Sequence, residues 1–468
     1  MKLFQVNINN LKFGDRLVPQ FYFYTEIVKK HNLRYGISYV RLGDFARISD
    51  GEHSAIPRNH DGGIRYLYGR NIKEGIIDFD PISDDSYIYD YDYIGFPRCH
   101  IYQNDVLIAI YGTVGKSAVY KKEYVGEAGI PRHIANITIK PTAPFSPEYL
   151  AAFFRSNYGK WQINSVITGN IQQLLSLKNL REFEIPIIND NLINQITNSE
   201  KKAIECEIEA QKRIKSAQSI LYQSLPVDLK AIKGDFTFSI PFSELNRSNI
   251  WSTSFYNKLY VKVANVLQEN LQVKQLSELV NIGHGDEVGS DSYNTYINRT
   301  ISDKPFIRTS DIVNNEVDLY PDFYISVSDT TNIKQDVQPG DIIFTKDGKI
   351  GCVGMITNED AVVLSSGIAT LRLNQFAIEH GITPEYLFVV LSIPEIGKYA
   401  AIRRTVIAST IPHLRPERLK EIEIPILEKN VIDSITTLIK QAFTLKAERK
   451  RLLKTIEHQI DNVLIKAN

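Results

Sequence analysis

The sequence predicts an α+β chain: two similar mixed α/β units separated by two long antiparallel helices that form a coiled-coil spacer. Three observations predict it. Asn191 to Leu225 carries apolar or small residues at Ile193, Ile196, Ala203, Ala210, Ile214, Ala217 and Leu221. Those steps of three, four or seven draw a helical seam with a period of roughly 3.5 residues. Val431 to Leu464 has the same character, with Ile432, Ile435, Leu438, Ala442, Leu445, Leu452, Ile456, Ile460 and Val463. Finally, almost the whole chain is written twice.

The duplication is read from ordered matches. Phe21-Tyr22 recurs as Phe255-Tyr256, and Leu42 to Ile48 is echoed by Leu276 to Ile282. Asp105-Val106-Leu107 with Gly112 and Gly115 matches Asp341-Ile342-Ile343 with Gly348 and Gly351. Pro147-Glu148-Tyr149-Leu150 matches Pro384-Glu385-Tyr386-Leu387. Each long helix follows nearly the same phrase: Leu180 to Ile187 ends Glu-Ile-Pro-Ile, and so does Leu419 to Ile426. The offset drifts only from 234 to 239 residues. The divisions are 1–188 and 227–427 for the two units, 189–226 for the central helix and 428–468 for the distal helix.

Each element has a local reason. At a rise of about 1.5 Å per residue the helices are rods of about 50 Å, and an amphipathic rod of that length needs a partner over its seam. Glu200 and Glu207 interrupt the first seam. A packed helix of an ordinary core would explain either stretch alone; two of them behind matching phrases favour a paired spacer. Proline in each phrase closes a strand and sets where the rod begins. Within a unit, a short helix at Leu42–Phe45 leads to a loop at Ser49–Gly63 rich in Gly, Asp and His, then a strand at Ile64–Tyr68. Val106–Tyr111 and Ser117–Tyr120 read as a hairpin whose glycines supply positive φ. Pro147 and Pro384 open helices at a position where the missing N–H costs nothing. The middles, Asp78–Tyr93 and Asp318–Thr331, share little. They are either recognition segments of different specificity or drifting surface loops.

Composition sets bounds. A 468-residue chain with 43% hydrophobic and 23% charged residues is that of a soluble globular protein with ample core. Its apolar runs are too short to span a bilayer, and Met1 to Val6 has no signal-peptide architecture. Cys99, Cys206 and Cys352 offer no disulfide framework and suit a reducing compartment, so a cytoplasmic location is expected. Lys+Arg and Asp+Glu are equal at 54 each, so net charge does not argue for nucleic acid.

Several motifs come close to chemistry and miss. Gly112-Thr113-Val114-Gly115-Lys116-Ser117 ends like a phosphate-binding loop, but the glycine that motif needs five residues before Gly115 is Ile110. Gly283-His284-Gly285 with Gly289 misses the dinucleotide spacing by one residue. The nine histidines form no zinc-like spacing. Asp341, Asp347 and Lys349 suggest the carboxylates and lysine of a magnesium-dependent nuclease, yet Tyr111 and Thr113 stand where Asp347 and Lys349 would in the first unit.

The ordered set resembles a known family. Asp105 to Lys116, the Pro-Glu-Tyr-Leu helix starts, Thr168 to Leu174, Ala408 to Leu414, and the Glu-Ile-Pro-Ile phrases running into long helices are similar to the specificity subunits of type I restriction–modification systems. The resemblance covers nearly the whole chain, twice. It implies two target-recognition domains, each reading half of a split double-stranded DNA site, and a helical spacer that docks methyltransferase subunits, two by resemblance. Restriction/translocase subunits would join through the methyltransferase. AdoMet, ATP and magnesium would sit on those partners, and this chain would hold no cofactor or metal, be non-catalytic and serve host defence. B-DNA half-sites one turn apart lie about 34–36 Å from each other, within reach of such a rod.

Base edges are read by Arg, Lys, Asn, Gln or short hydroxyls, and phosphates by cations or N–H groups. The DNA-facing candidates in the first unit are Arg58, Arg70, Arg98, Tyr111, Lys116, Arg132, His133, Gln172 and Gln173. In the second they are His284, Arg308, Lys346, Lys349, Arg403, Arg404, Thr410, His413 and Arg415. For any one of these cations the competing reading is a solvated surface charge. Two competing functions remain: the Mg-dependent DNA nuclease using Asp341, Asp347 and Lys349, and a protein scaffold that does not touch DNA.

Overall fold

A heptad seam cannot stay exposed, and both long helices bury theirs. The computed structural model describes Tyr24 and residues 37–465, except 79–85, 170–172, 236, 249, 289–303, 327–332 and 409–410. The Phe21-Tyr22 repeat lies outside the described residues. The chain divides into two units, Met1–Glu205 with Arg449–Asn468, and Cys206–Glu448. Among the described residues no helix is long and apolar enough to cross a membrane.

In the first unit β1 (Ser38–Arg41) pairs antiparallel with β11 (Glu184–Ile187), placing Ser38 opposite Ile187. Between them lie β2 (Ala46–Asp50), β3 (Ile64–Tyr66), β4 (Ile72–Lys73), β5 (Ile76–Ile77), β6 (Tyr87–Ile88), β7 (Val106–Ala109), β8 (Ser117–Val119), β9 (Ala128–Gly129) and β10 (Ile134–Ile139). The main sheet has the order β2-β10-β7-β8; β6-β3-β9 forms a second sheet and β4-β5 a small hairpin. The main sheet is antiparallel, and β3–β9 is a parallel pair. Helices α1 (Pro147–Arg155) and α2 (Asn157–Val166) come next, and α3 (Asp190–Ser224) is the first long helix. Ser146 caps α1 and bonds Thr197 of α3 at 3.1 Å. Tyr149 donates to the Pro186 carbonyl at 2.7 Å. Tyr149, Phe153, Phe154 and Tyr158 are fully buried, each contributing about 1.5–3 kcal/mol of apolar burial.

The second unit repeats this plan. Its strands are β12 (Val273–Gln275), β13 (Val280–His284), β14 (Lys304–Ile307), β15 (Ile312–Val313), β16 (Glu316–Val317), β17 (Tyr324–Ile325), β18 (Ile342–Thr345), β19 (Val353–Met355), β20 (Val363–Leu364), β21 (Ile368–Leu373), β22 (Val406–Ala408), β23 (Ile411–His413) and β24 (Glu423–Pro425). The orders β13-β21-β18-β19 and β17-β14-β20, with the pairs β15-β16 and β12-β24, match the first unit sheet for sheet. The β22–β23 hairpin stands where the first unit has the Thr168–Leu174 bridge, whose intervening residues 170–172 lie outside the described residues. Helix α4 (Pro384–Ser392) is capped by Thr383, which bonds Thr436 of α5 (Lys429–Leu464) at 2.6 Å. Tyr386 donates to the Pro425 carbonyl at 2.7 Å, as Tyr149 does to Pro186.

Two close approaches recur. A Cβ on Gly51 would lie 2.1 Å from the Ile130 carbonyl oxygen, and one on Gly285 the same distance from that of Ser365. Only glycine lets those backbones meet.

The seams differ from expectation in one respect. In α3 the buried positions run Ile193, Ile196, Glu200, Ala203, Glu207, Ala210, Ile214, Ala217 and Leu221. The two glutamates occupy the seam rather than interrupting it. In α5 the buried positions include Ile439, Lys446, Arg449 and Leu453, whereas Leu438, Leu445, Leu452 and Val463 are half-buried. Ile432, Ile435, Ala442, Ile456 and Ile460 are buried as the pattern expects, but apolar letters alone miss three buried cations, Lys446, Arg449 and Lys450. Glu200 takes a two-pronged bond from Arg155 at 2.9 and 2.6 Å, and Lys446 bonds Glu207 and Glu316 at 3.1 and 3.0 Å. In the second unit Arg213 also bonds Gln441 at 3.2 Å. With Glu207–Lys446 this makes the two helices antiparallel there. Arg155→Leu strands Glu200 in the core, so denaturant unfolding is expected to show a loss of about 3–5 kcal/mol; an unchanged midpoint would refute the role given to the pair.

Candidate nucleic-acid interface

A turn at the end of the central strand builds the same platform in each unit. After β7, Gly112 (φ 77°) and Gly115 (φ 95°) reverse the chain into β8. The Gly115 N–H bonds the Ala109 carbonyl at 2.8 Å. Because β8 is a strand and not a helix, the turn is a hairpin and not a phosphate cradle. Gly348 (φ 65°) and Gly351 (φ 79°) do the same after β18.

This turn is tied to the segment before each long helix. In the first unit the Gly112 N–H bonds the Gln173 carbonyl at 3.2 Å, and the Leu175 N–H bonds that of Ile110 at 2.9 Å. In the second, the Gly348 N–H bonds the Pro412 carbonyl at 3.0 Å, and the Leu414 N–H bonds that of Lys346 at 2.7 Å. Tyr111 bridges Leu174, and Asp347 bridges His413. The backbone is shared; the side chains are not.

In the first unit Tyr111 and His133 lie ring to ring at 5.1 Å. They line a cleft of about 310 Å³ with Asp50, His53, Arg132 and Leu174. Asp50 accepts from His53 at 2.8 Å and pairs with Arg98. Burial alone would push the Asp50 carboxyl up, but the bonds from Arg98 and His53 hold it below the usual range. Burial, helped by the Arg132 charge, lowers the His133 imidazole. Beside this, the Arg58 guanidinium lies 4.5 Å from the Tyr66 ring and Arg70 lies 4.6 Å from Tyr68. Thr113 donates to the Gly69 carbonyl at 3.3 Å, linking that pair to the glycine turn. Gln173 is exposed and Lys116 is buried.

In the second unit Asp347 binds His413 Nδ1 at 2.9 Å and Lys346 Nζ at 3.4 Å. His284 ends β13 largely exposed; partial desolvation of its ring, then the Lys346 and Lys420 charges, lower its imidazole. Arg308 stacks 4.0 Å over Phe323 and reaches Asp322 at 3.3 Å. Lys349 donates to the Ile312 carbonyl at 3.2 Å. Arg415 is exposed where the next helix begins. Arg403 and Arg404 sit elsewhere: Arg403 bonds the Phe255 carbonyl at 2.9 Å and Arg404 bonds Glu421 at 3.4 Å. Gln172 and Thr410 lie outside the described residues.

The nuclease grouping is dispersed. Asp341 is buried and bound to Arg372 at 2.7 and 2.8 Å, while its Oδ2 also accepts the Gln338 N–H. Its counterpart Asp105 caps the same turn, accepting the Tyr102 N–H at 2.7 Å and the Thr138 hydroxyl at 2.7 Å. Both aspartates hold a turn in shape. Among the described residues no group of three or more His, Cys, Asp or Glu is placed to hold a metal ion.

Arg, His, Tyr and Thr side chains over a rigid turn can hydrogen-bond base edges and phosphates. Sequence reasoning missed Asp50, His53, Tyr66 and Tyr68, which orient the candidates rather than stand among them. The only signal was the His- and Asp-rich character of 49–63. Nuclear magnetic resonance titration should find His133 and His284 protonating below the ordinary 6.5. The folded chain then holds these protons less tightly than the unfolded chain. Their contribution to stability is complete above 6.5 and declines as pH falls through that value; titration at or above 6.5 would contradict the environment described.

Residues 268–455 match the family described as "Type I restriction modification DNA specificity domain". No curated protein matches the chain. Among solved structures, the S subunit of a type I restriction-modification system from M. genitalium aligns over 93% of this chain and 96% of its own, at 13% identity and a TM-score of 0.32. The HsdS subunit from Thermoanaerobacter tengcongensis aligns over 92% and 97%, at 15% identity and a TM-score of 0.27. A chain from a study of complex assembly and conformational transition of the type I R-M system aligns over 92% and 98%, at 14% identity and a TM-score of 0.28.

Proposed function

We propose, from the match of residues 268–455 to the type I restriction modification DNA specificity domain family, that the whole chain is the DNA-reading and scaffold subunit of such a complex. Each unit reads one half of a bipartite, asymmetric duplex site, and the paired helices dock methyltransferase subunits. Methylation and cleavage, with AdoMet, ATP and magnesium, belong to partner chains, and restriction/translocase subunits attach through the methyltransferase.

One observation carries the reading: the family match spans the sheets of the second unit, and the first unit repeats those sheets in the same order and pairing. A specificity domain in one implies a reader of the same kind in the other. Asymmetry is supported by what stands at equal places on the shared turn. Tyr111 and Leu174 in one unit correspond to Asp347 and His413 in the other. A phenol beside an apolar side chain suits a thymine methyl group, whereas a carboxylate suits the amino group of cytosine or adenine. Two unlike readers in one chain call for a site without two-fold symmetry. Balanced net charge makes the chain alone a weak DNA binder, because affinity for phosphates scales with cations brought to them.

Exchange of residues 1–188 for those of a relative, with the methyltransferase present, should change one tract of the DNA footprint and leave the other; change in both would end the modular reading. The purified chain with DNA and Mg²⁺ should cut nothing, and cutting that disappears in Asp341→Ala would replace this function by the nuclease.

A further inference from the structure

The two long helices came from one repeated sequence, and their register is set by chemistry as well as by letters. Pro186 and Pro425 stand 239 residues apart, and so do Thr197 and Thr436. Each threonine bonds the capping hydroxyl of its own unit's Pro-led helix. At that spacing the counterpart of Glu207 is Lys446. These same two residues face each other: Lys446 Nζ lies 3.1 Å from both carboxylate oxygens of Glu207. The pair sits at the centre of the antiparallel register marked by Arg213–Gln441.

The centre of an antiparallel pair is special. When the two helices are identical, the residue there faces its own copy. A second α3 laid on α3 would set Glu207 against Glu207, and α5 on α5 would set Lys446 against Lys446. Both sites are almost closed to water: Lys446 is 0% exposed and Glu207 3%. Two Glu207 carboxylates there would have neither solvent nor a counter-charge from either helix, and two Lys446 ammonium groups would have to rely on Glu316 alone, so both like pairings are disfavoured. Only the unlike pair is satisfied. Glu316, the first residue of β16, adds a second acceptor to Lys446 at 3.0 Å, and Gln211 donates to Glu207 at 2.9 Å.

We propose that Glu207 and Lys446 are a pairing code: they admit α5 onto the seam of α3 and refuse a second copy of either helix, so that this duplicated chain assembles with unlike halves together. A single buried polar contact can set partner choice between otherwise similar helices. The code accounts for charged residues at core heptad positions where apolar ones would pack at least as well.

The test uses full-length chains unfolded in denaturant and refolded over a wide range of concentration, with a thiol-specific bifunctional cross-linker and mass mapping. Cys206, next to the central residue, reports on α3 pairing with α3. E207L/E316Q/K446L removes the charges and keeps an apolar seam. E207K/E316Q/K446E exchanges them, and E316Q is the baseline. Wild type, baseline and exchanged chains are expected to refold without a Cys206–Cys206 link. The leucine variant should give linked dimers that rise roughly in proportion to concentration. The inference is overturned if the leucine variant never links, or if the exchanged chain links as much as it does. Should the leucine variant fail to fold, the exchanged chain decides: melting close to the baseline supports the code, and failure to fold overturns it.

Discussion

The structure depends on a seam that contains charge. A heptad pattern in water demands a partner because its apolar stripe is too wide to leave exposed. Here the stripe of each long helix also contains ionised groups at core positions, and those are tolerable only where a counter-ion is within hydrogen-bonding distance. Arg155 meets Glu200, and Lys446 meets Glu207 and Glu316. The first pair joins a helix of the globular unit to the rod; the second joins rod to rod and rod to hairpin. A general hydrophobic requirement thereby becomes a specific geometry.

The same economy governs the two glycine turns. Glycines at positive φ, a capping aspartate beneath and two backbone bonds to the segment before the rod recur in both units. None of these requires a particular exposed side chain. Tyr111 and Leu174 can therefore stand where Asp347 and His413 stand without disturbing the frame. A rigid frame that tolerates free choice of tip residues is what a recognition module needs, since binding side chains lose less entropy when their backbone is already ordered. The segment preceding the rod is bonded to the turn, which places each glycine turn close in sequence to the start of a long helix.

Much of this was legible in the residues. The strand-turn-strand with paired glycines, the Pro-led helices and the phrases before the rods all occur where local preference and pattern agree. The candidates gathered unevenly. Arg58, Arg70, Tyr111, Arg132 and His133 come together around one turn, and Lys346, His413 and His284 around the other. Arg403 and Arg404 look equally free as letters, but their guanidinium groups are taken by the Phe255 carbonyl and by Glu421. Asp341 reads as a metal ligand but is a turn cap, because the arginine that neutralises it lies on a neighbouring strand.

The sequence by itself determined the duplication, the two rods and the glycine hairpin of each unit, because those follow from periodicity and from residues with strong backbone preferences, whereas the order of strands in each sheet came only from the structure. Tertiary structure alone decided which charges are interior. Lys446 reads as a surface lysine until Glu207, 239 residues away, and Glu316, 130 residues away, are brought against it. A buried ion is stable only in the company of its counter-ion, and no local pattern records which distant residue that will be.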